Sequence, residues 1–334
     1  ELFMAPKVVC WRPMYDPSGH DLLRDAGAEV KVVDTTDAQE VAAALKDAGA
    51  LWVRTPERVT SDLLDAADGL VVVSTSGFGT NNVDIEAATE RGILVVNHQG
   101  FGRVSVAEHS VMLILAALKK LTWCDQATRN GSAWAERSAM SIHELEAKTV
   151  GLVGLGYIGA ELARKLNLGF RCRVLAYDPY VNPRLSYAVE AEMHDDLETM
   201  LAACQVLCLC AELTGETRMI IGAKELAALP RGAVVVNAAR GELLDLDALA
   251  ETLDSGHVAA AGLDVVSPEP LPDGHPLLGH PNTVFTPHTA GVTAETSAML
   301  AQSAADQIMT ALKGEHPRFP VNPEAWDGPA SRRP

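Results

Sequence analysis

The stretch Thr149-Val-Gly-Leu-Val-Gly-Leu-Gly-Tyr-Ile-Gly159 decides how this chain is read. Its first residues form a short apolar run with the composition of a buried strand, and Gly154, Gly156 and Gly159 follow in G-x-G-x-x-G spacing. In that spacing Gly154 permits a tight turn and Gly156 lets backbone approach a pyrophosphate. Gly159 allows close packing of the helix expected over 157–168. The N-terminus of that helix would face phosphate charge. Glycine patterns alone are weak signals, because many turns imitate them. Here the next strand, 173–177, runs into Asp178, 19 residues after Gly159, where a carboxylate accepts hydrogen bonds from adenosine ribose hydroxyls. The same charge repels a 2′-phosphate, so NAD is expected over NADP, with Arg171 and Arg173 keeping the second cofactor open.

Working outward from the motif, both flanks alternate apolar runs with amphipathic stretches. On the N-terminal side 7–11, 29–33, 50–54, 70–74 and 93–97 read as buried strands, bounded by Gly, Asp or Pro. Helices are expected at 19–26, 37–48, 61–67 and 85–91, with Thr60, Ser61 and Asp62 as N-cap candidates for the third. Such β/α steps make a parallel sheet covered on both faces. The run 105–121 reads as one long apolar helix that must be buried on most sides. Beyond the motif, strands are expected at 174–177, 206–209, 234–237, 259–264 and 283–285, then a helix over 294–312 and a poorly ordered Pro/Gly/Arg tail. The expected class is α/β with two doubly wound parallel-sheet units, the second opening near residue 100.

Composition limits the partners. A chain of 334 residues is long for one core, and its 27 basic against 44 acidic residues leave a net charge of −17. That excludes the basic footprint of a nucleic-acid or anionic-membrane binder, so a small anionic substrate needs a local cluster of arginine and backbone N–H groups. No apolar run approaches the roughly 18 residues of a membrane helix. The six cysteines show no disulfide framework and no signal peptide precedes them, so a cytoplasmic location is expected. Glu1, Leu2 and Phe3 precede Met4 and are expected to be non-native additions.

Chemistry is expected at the carboxyl ends of the later strands. Arg240 closes V-V-V-N-A-A-R-G, Glu269 sits in G-L-D-V-V-S-P-E-P, and His288 sits in V-F-T-P-H-T-A-G. Oxidising a 2-hydroxy acid needs a cation for the carboxylate, a base for the hydroxyl proton and a nicotinamide face. Singly, each residue has a bland reading: a surface ion pair, a turn residue between prolines, a satisfied loop histidine. Together, and in this order, they favour the enzyme. Cys204, Cys208 and Cys210 invite a metal reading, but no second Cys/His pair follows at zinc spacing, and small core residues are expected instead.

With these motifs in hand the chain resembles the D-isomer-specific 2-hydroxyacid dehydrogenase family over nearly its whole length. S-G-F-G-T-N-N-V-D at 76–84 and S-V-A-E-H at 105–109 add to the resemblance. The resemblance implies a flavodoxin-like substrate domain, 1–100 plus 291–334, into which a Rossmann NAD-binding domain, 101–290, is inserted, with the active cleft where they meet. It implies that Arg240 pairs with the substrate carboxylate, that His288 is the acid/base, and that Glu269 bonds its other ring nitrogen. Gly154, Gly156, Tyr157, Ile158, Gly159, Asp178, Ala238 and Asp264 would line the cofactor. Arg54 with Thr55, Ser76, Gly77 and Phe78 would line the substrate. A D-configured 2-hydroxy acid and a homodimer through the nucleotide domains are likewise implied.

The match has departures. Asn81 stands where the family usually has aspartate, and Gln99 and Gly102 replace a common proline and asparagine. Cys210 and Glu212 replace a common histidine and proline. Phe78 and Phe101 add aromatics toward the substrate. Glu269 argues against a formate dehydrogenase, and Phe78 against a phosphite dehydrogenase. The alternatives are a dehydrogenase of this superfamily with an unusual substrate and an NAD-sensing corepressor or scaffold on the same fold, since fold alone does not fix function.

Overall fold

The computed structural model describes residues 5–334, so the expectation attached to residues 1–3 lies outside the described residues. The chain forms two compact units, one ending at Gly102 and resuming at Gly291–Pro334, the other Arg103–Ala290.

The first unit carries β1 (Lys7–Trp11), β2 (Glu29–Val33), β3 (Ala50–Val53), β4 (Val72–Ser74) and β5 (Leu94–Val96) in one parallel sheet of order β2-β1-β3-β4-β5. This is the flavodoxin-like order, and its chain reversal falls between β1 and β3. β1, β3, β4 and β5 are apolar on both faces because both are covered: Val9, Leu51, Val73 and Val95 enter one core, Val8, Ala50, Val72 and Leu94 the other. The helix Ala294–Leu312 closes the second core, where Gly19 is needed because a Cβ there would lie 2.5 Å from the Trp52 ring. Side-chain caps on Gln39, Leu63 and Ala87 N–H groups by Asp37, Thr60 and Asp84 start the short helices between the strands.

One expectation fails here. The Pro/Gly/Arg tail is not loose: it carries a short helix, Pro323–Asp327, with Trp326 only 2% exposed. Asn322 is the physical reason. Its Oδ1 accepts from Val95 N at 2.7 Å, and its Nδ2 donates to Ile93 O at 3.0 Å and Thr89 Oγ1 at 2.9 Å. Pro320 also bridges Val96 antiparallel, so the tail satisfies the open edge of β5.

The second unit carries β6 (Thr149–Val153), β7 (Arg173–Tyr177), β8 (Glu192–Met193), β9 (Val206–Leu209), β10 (Ala233–Asn237), β11 (Val258–Leu263) and β12 (Thr283–Phe285). All are parallel, in the order β12-β11-β10-β9-β6-β7-β8, which is the Rossmann order with one further strand. The long apolar helix runs Arg103–Leu118 and ends earlier than read, at a left-handed Lys120 (φ 51°), before Leu121–Arg129 continues as a separate helix. It buries Leu113 and Ile114 fully, each burial worth about 2 kcal/mol, and a Cβ on Gly262 would come 2.9 Å from that of Leu113. The two-residue β8 had no counterpart in the sequence reading. Among the described residues no helix is long and apolar enough to cross a membrane.

Candidate active site

The chemistry-bearing residues of the second unit all follow a strand at its carboxyl end. After β6, Gly154 adopts φ +95°, and a Cβ on it would lie 2.6 Å from Ala211 N. A Cβ on Gly159 would meet Gly154 O at 2.4 Å, so the helix Tyr157–Phe170 reaches the strand only because glycine stands there. Gly156 differs. A Cβ on it would meet nothing within 4 Å, and as N-cap it leaves the helix without a side-chain cap. Open space beside uncapped N–H groups is the cradle a pyrophosphate fills, so these residues fit a dinucleotide. Asp178, directly after β7, is fixed through Oδ2 by Leu155 N at 2.8 Å and through Oδ1 by Tyr180 N at 2.9 Å. Tyr157 is 56% exposed, whereas Ala238 is buried.

After β10, the buried Asn237 side chain organises the turn that carries Arg240. Its Nδ2 donates to Arg240 O at 2.8 Å and its Oδ1 accepts from Ala239 N at 3.0 Å. Gly241 follows because a Cβ there would lie 2.1 Å from the Val266 carbonyl carbon. Burial pulls the Arg240 pKa down, against the opposing effect of Glu242, Glu269 and Glu212; a guanidinium stays protonated regardless.

After β12, His288 Nδ1 and Glu269 Oε2 lie 2.9 Å apart, both side chains about one-third exposed. Glu269 Oε1 also accepts from Val266 N at 3.3 Å. His288 sits at φ +54°, in the left-handed region that costs an ordinary residue about 1–2 kcal/mol. Asp264, directly after β11, offsets that strain. Its backbone O accepts from His288 N at 2.8 Å, while its carboxylate accepts from Thr286 Oγ1 at 2.6 Å, Thr289 N at 2.8 Å and Ala290 N at 3.0 Å. Burial alone would raise the Asp264 pKa, but the bonds from His109, Thr286, Ala290 and Thr289 win and hold it below the usual range. Both carboxylate oxygens are thus engaged within the protein, clamping the loop that presents His288.

Sequence reasoning missed His109 in this cluster. Its Nε2 lies 2.8 Å from Thr286 Oγ1 and 3.3 Å from Asp264 Oδ1. The only signal was its place in S-V-A-E-H. Cys208 and Cys210 share one face of the sheet while Cys204 packs on the other, and burial pushes the Cys204 and Cys210 thiols up to about 12.

In the first unit the expected substrate-side residues lie at the carboxyl ends of β3 and β4. Ser76 Oγ donates to Val53 O at 3.0 Å, and Gly77 O accepts from Thr75 Oγ1 at 2.9 Å and His98 N at 3.1 Å. Phe78 is 39% exposed, and its carbonyl accepts from Asn97 Nδ2 at 2.9 Å. Arg54 stacks on the Tyr15 ring at 4.9 Å. His98, which sequence reasoning did not single out, is buried under this loop, with Nε2 2.9 Å from Thr75 O and Nδ1 2.9 Å from Ser303 Oγ. Burial, only partly opposed by the Thr75 bond, takes its pKa down to about 4.

Residues 111–290 match the family model described as D-isomer specific 2-hydroxyacid dehydrogenase, NAD binding domain. The chain is 37% identical over 302 residues to a D-3-phosphoglycerate dehydrogenase of Archaeoglobus fulgidus, covering 90% of this chain and 56% of that protein. It therefore spans little more than half the length of such relatives. A glyoxylate reductase of Thermofilum pendens is 34% identical over 326 residues, covering 96% of this chain and 95% of that one. Among solved structures, an NADPH-dependent glyoxylate/hydroxypyruvate reductase from Sinorhizobium meliloti, in complex with NADP and malonate, superposes with a TM-score of 0.84 at 29% identity, covering 95% and 96% of the two chains. The chain belongs to the D-isomer specific 2-hydroxyacid dehydrogenase family.

Proposed function

We propose that this protein is an NAD-dependent oxidoreductase acting at C2 of a small D-2-hydroxy acid or the matching 2-keto acid. The observation that carries the reading is the His288–Glu269 contact at 2.9 Å, on the same sheet edge as Arg240 and the glycine turn. NAD, when bound, supplies the hydride acceptor or donor. Gly154, Gly156, Tyr157, Ile158 and Gly159 would hold its pyrophosphate and Asp178 its ribose, with Ala238 along the remainder, while Asp264 gives its carboxylate to the loop that carries His288. Arg171 pairs with Glu146 at 3.1 Å, and Arg173 with Glu192 through two bonds of 2.9 and 2.6 Å. Neither arginine is then spare for a 2′-phosphate, which supports NAD over NADP.

Glu269 keeps a proton on His288 Nδ1, leaving Nε2 to take the C2 hydroxyl proton in oxidation and to return it in reduction. Arg240 would hold the substrate carboxylate and polarise the C2 oxygen, a task suited to a planar cation with several donors. The first unit, with Arg54, Ser76, Gly77 and Phe78, would act as the substrate domain, and Arg103–Ala290 as the nucleotide domain. A cytoplasmic setting is supported by six unpaired cysteines. A homodimer through the nucleotide domain is supported by Met112, Leu121, Trp134 and Ile142, which are 41–67% exposed. A monomer mass by light scattering at micromolar concentration would contradict the dimer.

His288→Ala and Arg240→Ala test the mechanism. Each is expected to cut turnover by at least ~10² with NADH affinity intact. Near-wild-type rates in either would remove the proposed roles.

A further inference from the structure

Several arginines of this chain form no ion pair among the described residues, and Arg54 is set apart from them by burial. Its Nε is buried without a hydrogen-bond partner, and among the described residues its guanidinium makes no ion pair; its neighbour is the ring of Tyr15, 4.9 Å from Cζ. Glu57 is the next carboxylate along the chain, and its N–H donates to Arg54 O at 3.2 Å across the turn. Yet the Glu57 side chain, 11% exposed, lies 3.1 Å from Arg12 Nε, an ion pair without hydrogen-bond alignment. Arg12 also pairs with Asp34 at 2.9 Å, and it does so from φ +74°, a conformation an L residue adopts only when its surroundings impose it. A strained arginine at the end of β1 therefore occupies two carboxylates, and the arginine at the end of β3 is left uncompensated.

We propose that Tyr15 and the Arg12–Glu57 pair are positioning residues that keep the Arg54 guanidinium oriented and unneutralised for an anionic group of the substrate, a carboxylate or phosphate. The proposal rests on the dehydrogenase reading only for calling that ligand a substrate. The Tyr15 face restricts the guanidinium plane and lowers the ordering cost when an anion arrives. Arg12 acts at one remove: by holding Glu57 it withholds the internal anion that would compete with the ligand. Neither residue needs to touch the substrate.

The test is isothermal titration of the whole protein with malonate as the anion probe, without cofactor and at low salt, with thermal melts to confirm folding. Arg54→Gln is expected to abolish the measured binding. Tyr15→Leu should weaken it about five-fold and Tyr15→Phe should match the wild type, since the ring face is kept. Arg12→Met should weaken it by about five-fold or more by releasing Glu57, and Arg12→Met combined with Glu57→Gln should restore it, which a merely structural role of Arg12 would not allow. Equal affinity across the variants, binding that survives Arg54→Gln, no binding by the wild type, or a double variant as weak as Arg12→Met would each overturn the proposal. Should the wild type reduce no 2-keto acid while malonate affinity still follows the expected order, the dehydrogenase reading fails and the positioning device stands.

Discussion

Replacing Asp264 by asparagine isolates the clamp that presents His288. The carboxylate accepts from Thr286 Oγ1 at 2.6 Å, Thr289 N at 2.8 Å and Ala290 N at 3.0 Å, with His109 Nε2 at 3.3 Å. An amide has one oxygen for these donors, so whichever way it is turned, one backbone N–H faces an NH₂ group. Losing one charge-assisted bond and leaving a buried donor unmet costs roughly 2–4 kcal/mol. For a unit the size of Arg103–Ala290 that lowers the melting temperature by roughly 6–12 °C. The same clamp offsets the left-handed backbone of His288, worth about 1–2 kcal/mol. Slackening it should lower the fraction of molecules with His288 in place, and kcat with it, about ten-fold, with NADH affinity changed far less. Scanning calorimetry and steady-state NADH oxidation measure the two effects. Wild-type melting and wild-type kcat in Asp264→Asn would refute the account of the loop.

The pH dependence of stability in the first unit follows from His98. Its pKa falls from 6.5 to about 4 on burial, so between those values the unfolded chain binds the extra proton. Stability is full above pH 6.5 and drops by about 3 kcal/mol as pH falls to 4, then stays level for this group. Urea unfolding of the wild type and His98→Asn at both pH values should show the variant losing less on acidification; equal losses would contradict the assignment. The glycines of the turn should separate by what a methyl group meets. Gly156→Ala, with nothing within 4 Å, should keep the wild-type melting temperature yet lower NADH affinity, whereas Gly159→Ala, 2.4 Å from Gly154 O, should lower both. A destabilised Gly156→Ala would contradict this. Asn322→Ala leaves the Val95 N–H and Ile93 carbonyl unmet and should cost about 2–4 kcal/mol; a change below about 0.5 kcal/mol would mean the tail does not close the β5 edge.

Most strands were legible because their signal is local. Valine-rich runs such as 7–11 and 29–33 need no tertiary knowledge, and the glycine turn declares its backbone through Gly154 and Gly159. The tail was misread for the opposite reason. Its composition suits disorder, and what orders it is a single side chain, Asn322, meeting backbone groups of Ile93 and Val95 more than 200 residues earlier. His109 was hidden similarly, since its partner Thr286 lies 177 residues away. The motifs named Glu269 and His288, and the family resemblance added Asp264 and the Glu269–imidazole bond, but neither showed that Asp264 spends its carboxylate on the loop. Nor does a sequence announce that His288 and Arg12 stand in left-handed backbone, because only the assembled loop makes that conformation affordable.

The most direct measurement of the central claim is NADH absorbance while the purified protein is offered glyoxylate, hydroxypyruvate, pyruvate, phenylpyruvate, 2-ketoglutarate and phosphohydroxypyruvate in turn. The account predicts NADH consumption with a clear favourite among them, lost in His288→Ala. Silence across the panel from protein that still binds NADH would contradict it.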